Sequence, residues 1–272
     1  MSELLVELFS EEIPSNLQIH TRQQLENLLK QNLSSSNLKP KSLEVFSTPT
    51  RLTIHITGLP KIIKIPAAEI KGPKVGVPES VISNYAKSKN LNVTDLQKKE
   101  TEKGTFYFAK VKAKEISTDE ELEKIIPQTL KDINWKKSMK WSDNNLMWGR
   151  PLRSIVAIFN KKILKFNYHH LTSTNSVIVE TDLITKTKNI KTFKEYNSFL
   201  KSNKILLDHT ERKTKILKRF EAICRSKNYK ENFNTKLLEE VTNIVENPNI
   251  LLVDFNKDYL KIPGEIIIST LQ

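Results

Sequence analysis

Cysteine and glycine are scarce in this 272-residue sequence, and each shortage excludes a class of protein. The single cysteine, Cys224, rules out a disulfide within the chain and a zinc site with several cysteine ligands. Its helical spacing from Leu217 and Phe220 predicts a buried, structural thiol. The six scattered glycines do not form the glycine-rich loop that cradles phosphates in many nucleotide-binding proteins.

Long apolar runs are also missing. No stretch approaches the ~20 apolar residues that a membrane-spanning helix requires. The N-terminal sequence MSELLVELFSEEIPS has no basic leader region and contains acids almost at once, which does not fit a signal peptide. We therefore expect a soluble, cytoplasmic protein with no membrane partner.

Acidic residues are outnumbered. The chain has 31 Asp and Glu against 44 Lys and Arg, which gives a net charge of +13. Such an excess suits a polyanionic partner such as RNA or DNA, or an anionic membrane face. An abundance of Lys, Asn and Ile with little Ala and Gly is also typical of a codon bias, which would leave many lysines solvated without a specific role. Composition alone leaves both interpretations open.

Common catalytic and metal-binding motifs are absent. The sequence has no Gly-x-Ser-x-Gly elbow, no His-Glu-x-x-His and no EF-hand loop, so we predict neither a catalytic residue nor a metal site in this chain. Glu11 and Glu12 follow the first apolar run and could act as acid and base only in a desolvated setting. Solvated acids at the end of a strand are the more common case.

Strand-like and helix-like patterns alternate irregularly, which favours an α+β fold with mixed or antiparallel sheets, flanking helices and a more helical C-terminal part. We predict a β-α-β-β unit over 1–60, a central α+β region over 61–190 and a mainly helical region over 191–272. Predicted strands cover 4–9, 43–47, 52–57, 98–100, 105–112, 154–159, 163–168, 177–179 and 250–253. Two pairs of these strands should form hairpins, one over 98–112 with Lys103-Gly104 in its turn and one over 154–168 with Asn160-Lys161-Lys162 in its turn. Predicted helices begin at Ser15, Ser80, Thr118, Thr192, Asp208, Thr235 and Pro263.

The aromatic-basic segment, residues 135–153, contains all three tryptophans of the chain. Flat side chains stack on unpaired bases while Lys and Arg neutralise phosphates, so this segment is a candidate nucleic-acid site. A Trp-rich core with lysines on its solvent side is an equally good interpretation. A second basic stretch, 208–227, is more typical of the solvated face of a helix. The aromatic and basic residues of the segment are Trp135, Lys136, Lys137, Lys140, Trp141, Trp148, Arg150 and Arg153.

Six stretches of sequence together resemble one family, the β subunit of bacterial heterotetrameric glycyl-tRNA synthetase. None of them is specific alone, but their order and spacing extend over residues 3–272. The sequence departs from the family pattern at two places. VIVET at 177–181 stands where the family has a Gly-His-Arg, so no His or Arg can be assigned there, and Asn84-Tyr85 stands where the family has a Gly-Phe. The six are LLVELFSEEIP (4–14), EVFSTPTRLTIHITGL (44–59), KGP (71–73), KSMKW (137–141) with GRPLRSIVAIF (149–159), DHTERKTKI (208–216) and EEVTNIVENPNILLVDFNKDYLKIPGEIIISTLQ (239–272).

The resemblance implies the N-terminal portion of such a subunit, since the family continues into an HD-like domain and an anticodon-binding domain. We therefore expect a fragment or a truncated gene. In the family a separate α subunit activates glycine with ATP and Mg²⁺ in an α2β2 assembly, which implies no cofactor in this chain. The implied partners are that α subunit and tRNA(Gly). As candidate RNA-binding residues we take Arg51, Lys137, Lys140, Trp141, Arg150 and Arg153.

Two other functions stay open on the sequence. One is a free-standing RNA-binding or docking module without ligase activity. The other is a hydrolase of aminoacyl-tRNA with Glu11 or Glu12 at its site.

Overall fold

The computed structural model describes residues 2–65, 67–88, 91–102, 104–111, 113–141, 143–180, 184–231 and 234–271. Each strand pair in this part is antiparallel, and the predicted α+β class is confirmed. The helices are α1 (Ser15–Ser35), α2 (Glu79–Ser88), α3 (Thr118–Lys131), α4 (Phe193–Ser202), α5 (His209–Lys227), α6 (Thr235–Ile244) and α7 (Gly264–Leu271). The strands are β1 (Glu3–Ser10), β2 (Ser42–Thr48), β3 (Arg51–Thr57), β4 (Ile62–Ile65), β5 (Ala68–Lys74), β6 (Leu96–Thr101), β7 (Gly104–Val111), β8 (Lys114–Ser117), β9 (Met139–Lys140), β10 (Met147–Trp148), β11 (Leu152–Phe159), β12 (Lys162–Ile163), β13 (Asn167–Tyr168), β14 (Leu171–Thr172), β15 (Ser176–Glu180) and β16 (Thr185–Asn189).

The chain divides into two compact units. The larger unit combines the chain up to Leu59 with the chain from Leu122 onward, and the smaller unit is Pro60–Glu121. The two units therefore change over after Leu59 and after Glu121, whereas the predicted regions were divided at 60 and at 190. Residues 122–190 join the N-terminal region because β11 pairs along the whole length of β1.

The larger unit is built on a five-stranded antiparallel sheet with the order β12-β11-β1-β3-β2. β1 lies inside this sheet, where Leu5 is opposite Ile158 of β11 and His55 of β3. Both faces of β1 are buried, and Leu4, Leu5 and Val6 are all fully inaccessible to solvent. A strand covered on both sides reads as a continuous apolar run, which is why the sequence predicted it correctly.

Helices bury the apolar side chains of the larger unit. Leu25, Leu29 and Leu33 recur every four residues on α1, are fully buried, and face the side where α1 packs beside β2 and α6. On α4, Tyr196 and Leu200 belong to a second apolar cluster that includes residues of β1, β11 and β15. Full burial of one such side chain contributes roughly 1.5–3 kcal/mol.

A buried arginine joins three elements of the larger unit. Arg212 of α5 is fully buried, and burial, together with neighbouring positive charge, lowers its pKa to about 10. Its guanidinium donates hydrogen bonds of 2.6–3.0 Å to the backbone carbonyls of Ser47, Leu206, Leu207 and Thr242. These bonds tie α5 to β2, to α6 and to the loop before α5. The predicted burial of Cys224, on the same helix, is confirmed.

The smaller unit contains a three-stranded sheet with the order β5-β7-β6 and a separate β4–β8 pair. Helix α2 covers one face of the three-stranded sheet, where Ile82 and Ala86 pack with Leu96 and Ala109. The predicted turn residue Lys103, between β6 and β7, lies outside the described residues.

The hairpin predicted over 154–168 is only partly correct. β11 pairs with just the two residues of β12, and β13 pairs with β14 instead. Asn160 and Lys161 have left-handed φ values of 49° and 67°, which makes the turn, and the chain then bends inward so that Leu164 and Phe166 are buried. Burial of these two side chains outweighs continued strand pairing.

The strand predicted over 250–253 is wrong, because these described residues have no regular structure. Leu251 is 73% exposed and Val253 is 77% exposed. Exposed apolar side chains in such density are typical of a surface that another polypeptide covers. They are Leu251, Leu252, Val253, Phe255, Tyr259, Leu260, Ile262, Ile266 and Ile268.

Candidate nucleic-acid interface

Two of the three tryptophans of the aromatic-basic segment pack against each other, with Trp148 buried and Trp135 half-buried. The rings of Trp135 and Trp148 are 4.9 Å apart and tilted by 59°, and Trp148 meets the edge of Tyr168 at 6.0 Å. Trp148 is 1% exposed. Burial, and secondly the charge of Asp132, raises the pKa of Tyr168 to about 12. These packed rings form the base of the segment, and the buried rings of Trp148 and Tyr168 are not free to stack on a nucleotide.

A glycine allows this aromatic base to close. A Cβ atom on Gly149 would lie 2.4 Å from the ring of Trp135, which is closer than any real contact. The backbone at Gly149 therefore passes directly against the indole, and β10 is held onto the segment that precedes β9.

The same segment is attached to α1 through a reciprocal pair of hydrogen bonds. The Gln24 side chain donates from Nε2 to the carbonyl of Asn134 at 2.9 Å, and the Asn134 N–H donates to Gln24 Oε1 at 2.9 Å. A side-chain amide thus imitates a neighbouring strand. The backbone just before the β9–β10 hairpin is therefore held in place against α1.

The short hairpin β9–β10 displays the remaining aromatic and basic side chains. Lys140 is opposite Met147, and Trp141, which follows β9, is 55% exposed. Exposed lysines precede the hairpin. Together these side chains form what we call the hairpin surface, which consists of Lys136, Lys137, Met139, Lys140, Trp141 and Met147. An exposed ring among flexible cations can stack on a base and contact the adjoining phosphates.

Arg150 lies just after the hairpin, at the edge of a groove of about 470 Å³. It is half-buried and donates from Nη1 to the carbonyl of Gly149 at 3.0 Å, which orients the guanidinium. Within the described residues, it forms no ion pair with an acid, although Glu11 and Glu12 also line the groove. Arg150 had an equally weighted structural alternative on the sequence, a salt bridge to an acid near Pro151, and none of the described acids forms it.

Arg153 is already neutralised by carboxylates. It forms a two-pronged pair with Glu180 at 2.5 and 2.7 Å, and it lies 3.4 Å from Glu11. The hydrogen bonds that Arg153 donates to Glu180 raise the pKa of Arg153 above its ordinary value. Its guanidinium also lies over the ring of Phe9, at 5.2 Å. We therefore assign Arg153 mainly to holding β11 and β15 together.

Arg51 lies in the interior, away from any surface that RNA could reach. It is 1% exposed and pairs with the fully buried Glu7 at 3.2 Å. Burial alone would lower the pKa of Arg51, but the nearby Glu7, Tyr196 and Glu246 together raise it, so the guanidinium stays charged. Tyr196 completes the group by donating to Glu7 at 2.6 Å. Arg51 is therefore corrected from a candidate RNA contact to a structural residue.

The acids required by the hydrolase hypothesis are not desolvated. Glu11 and Glu12 are both exposed, and Glu11 forms its ion pair with Arg153. The desolvated setting that this hypothesis requires of its acid and base is therefore not present at these two residues.

The second basic stretch, on α5, lines a larger groove of about 850 Å³ with Lys215, Lys218 and Arg219. The acids Asp208 and Glu211 line the same groove. Lys215 donates to the Asn247 side chain at 2.6 Å. Mixed charge and internal pairing make this groove a weaker RNA site than the hairpin surface.

Neither a metal site nor a membrane span was found in the described part of the chain. No three His, Cys, Asp or Glu side chains there lie close enough together to hold a metal ion. No helix in that part is both long and apolar enough to cross a membrane.

Comparison with known proteins gives one consistent family. The family model for the glycyl-tRNA synthetase beta subunit matches residues 4–272. Glycine–tRNA ligase beta subunits are 32% identical to this chain in Rickettsia felis, 34% in Rickettsia typhi and 34% in Rickettsia prowazekii, over 274, 272 and 273 residues. Each alignment covers all of this chain and 41% of the relative, so the chain spans well under half the length of these relatives.

Proposed function

Because the chain belongs to the glycyl-tRNA synthetase beta subunit family, we propose that it supports the ATP-dependent attachment of glycine to tRNA(Gly) by binding the tRNA and a catalytic α subunit. ATP and Mg²⁺ act in the α subunit, within an α2β2 assembly in the cytoplasm. The chain itself contributes positioning and binding. No residue of it has a catalytic role in this proposal.

The observation that carries the RNA-binding part is the hairpin surface. It joins an exposed indole, Trp141, to exposed lysines, on a base fixed by buried aromatic rings and by the Gln24–Asn134 pair. Preorganisation of this kind reduces the entropy cost of binding. Arg150 adds a cation that is oriented by the backbone and has no acidic partner in the described part of the chain. The net charge of +13 favours approach of a polyanion.

The division of chemistry between subunits is tested with the purified chain and a purified α subunit. We expect the chain alone to show no glycine-dependent ATP–pyrophosphate exchange, to bind tRNA(Gly), and to co-purify with the α subunit. Exchange by the chain alone would contradict the assignment of catalysis to a partner. RNA binding without co-purification would favour the free-standing RNA-binding module.

A further inference from the structure

The three-stranded sheet of the smaller unit has two different faces. Side chains alternate along a strand, so Tyr107 and Ala109 of β7 point to the face that α2 covers. Phe106 and Phe108 point to the opposite face. These two rings are half-buried, and their Cα atoms are about 6.7 Å apart along the strand.

Lysines surround the two phenylalanines on the neighbouring strands. Lys99 of β6 is opposite Phe106, and Lys71 of β5 is opposite Phe108. The ammonium of Lys71 lies 3.5 Å from the centre of the Phe106 ring, and that of Lys99 lies 5.7 Å from the centre of the Phe108 ring. Lys110 continues the same face along β7. The three lysines are exposed, which shows that solvent reaches this face.

We propose that this sheet face, formed by Phe106, Phe108, Lys71, Lys99 and Lys110, binds single-stranded RNA. Two adjacent rings on a rigid sheet give stacking platforms for two neighbouring bases, and the flanking lysines reach the phosphates between them. The lysines now occupy the ring faces by cation–π contact, and their flexible stems let them move to a phosphate when a base replaces them.

The occupant is unpaired RNA and not a duplex. Bases inside a duplex are stacked on each other and present no free face to an aromatic ring. A partly apolar platform also differs from a purely cationic groove, which would recognise phosphates alone. Lys99 donates hydrogen bonds of 2.6 and 2.7 Å to the nearby acid Glu69. A bound RNA phosphate therefore competes with this carboxylate for the Lys99 ammonium.

The platform is tested on the whole chain by fluorescence anisotropy with a labelled single-stranded RNA of about eight nucleotides, at several salt concentrations. The double variant Phe106→Leu/Phe108→Leu keeps apolar bulk but loses stacking. We expect it to bind roughly 5- to 100-fold more weakly with an unchanged salt dependence. Lys71→Gln and Lys99→Gln should each reduce the steepness of the salt dependence by about 0.7, the value for one phosphate contact on a single strand.

Lys98→Gln is the matched control, because Lys98 is the sequence neighbour of Lys99 but points to the other face, over Tyr107. It should bind like the unmodified chain. Equal binding by the double variant and the unmodified chain would overturn the proposal, and so would an equal loss in Lys98→Gln and Lys99→Gln. Should the double variant fail to melt cooperatively, the exposed lysine variants decide the question alone.

Glu69→Gln provides a test by gain of binding. Removing this carboxylate frees Lys99 and removes a negative charge beside the path of the RNA. We expect binding to tighten about two- to fivefold at low salt. Weaker binding in Glu69→Gln would contradict the proposed path.

The inference rests on the proposed function for the identity of the RNA partner, but the two can fail separately. Binding of single-stranded RNA is measured for the sheet variants, whereas binding of folded tRNA is measured for the hairpin variants. Loss of oligonucleotide binding in the sheet variants, with unchanged tRNA binding in the hairpin variants, would retain the sheet proposal and reject the hairpin surface. The reverse result would reject only the sheet.

Discussion

Gln24 and Asn134 exchange two hydrogen bonds of 2.9 Å, and this pair connects the middle of α1 to the segment that leads into the β9–β10 hairpin. The two residues are 110 positions apart in the sequence. The pair therefore links the N-terminal helix of the larger unit to its candidate RNA surface.

Replacing Gln24 should loosen the hairpin surface without unfolding the chain. In Gln24→Ala the backbone groups of Asn134 lose both partners, and because they are near solvent the cost should be only about 1 kcal/mol of unfolding free energy. Affinity for tRNA should fall through the lost preorganisation. Chemical denaturation and tRNA titration measure the two effects. Gln23→Ala, at the exposed neighbouring position, should change neither; equal behaviour of both variants would dismiss the role of the pair.

Replacing Gly149 should disrupt the aromatic base. In Gly149→Ala the new methyl group would meet the Trp135 ring at 2.4 Å, so the indole or the backbone must move. We expect a loss of about 1–3 kcal/mol in unfolding free energy, as for other overpacked sites, and a change in tryptophan fluorescence. Gly264→Ala is the control, since its added methyl group meets nothing within 4 Å. An unchanged emission spectrum in Gly149→Ala would show that the rings are not packed as described.

Arg212→Lys should be strongly destabilising although it conserves the charge. An ammonium cannot reach all four carbonyls that the planar guanidinium contacts, and a buried carbonyl without a partner costs roughly 1–3 kcal/mol. We expect a loss of at least about 2 kcal/mol in chemical denaturation. Arg219→Lys, at an exposed position on the same helix, should stay within about 0.5 kcal/mol of the unmodified chain. Similar losses in both variants would refute a special role for Arg212.

Arg212 shows which features of this helix could be predicted from the sequence and which could not. The periodicity of 208–227 predicted the helix. The structure adds its N-cap, because Asp208 accepts from the Thr210 N–H in the way that capping residues do. The periodicity treated the arginines of the helix alike. Which arginine is buried depends on α6 and β2, which are distant in sequence, and no local pattern reports that.

The stability of the chain should fall in mild acid because of His209. Burial, and then the positive charge of Arg22, lowers the pKa of His209 from 6.5 to about 4, while Asp208 opposes the shift and Arg212 and Lys213 add to it. Between pH 4 and 6.5 the unfolded chain therefore binds more protons than the folded chain. The stability that comes from a neutral His209 is complete above pH 6.5 and is lost as the pH falls toward 4.

After allowance for the partial exposure of the imidazole, this contribution is about 1 kcal/mol. Denaturation of His209→Gln at both ends of this pH range should show a smaller difference than the unmodified chain. His170→Gln, in an exposed turn, should keep the original difference. An identical pH dependence in His209→Gln and the unmodified chain would mean that another group causes the loss of stability in acid.

The candidate site was only partly predictable, for a similar reason. Alternation of aromatic and basic residues marked the segment, but local sequence could not separate Trp148, which is buried, from Trp141, which is exposed. Arg51 follows Pro49-Thr50 in a stretch that resembles the family, yet its partner Glu7 is 44 residues away in the sequence. The sequence did not predict the sheet face around Phe106. Side chains of a strand alternate between two faces, and which face stays exposed depends on the strand order and on the helix that covers the sheet.

The hairpin surface is tested most directly by the salt dependence of tRNA(Gly) binding. Lys140→Ala and Arg150→Ala should each weaken binding and reduce the salt slope by about one, the value for one lost phosphate contact, whereas Trp141→Ala should weaken binding with the slope unchanged. Lys162→Ala, an exposed lysine on β12, should match the unmodified chain. Unchanged affinity in Lys140→Ala, Trp141→Ala and Arg150→Ala would contradict the proposed role of the hairpin surface and of the adjoining Arg150, and would place the tRNA elsewhere.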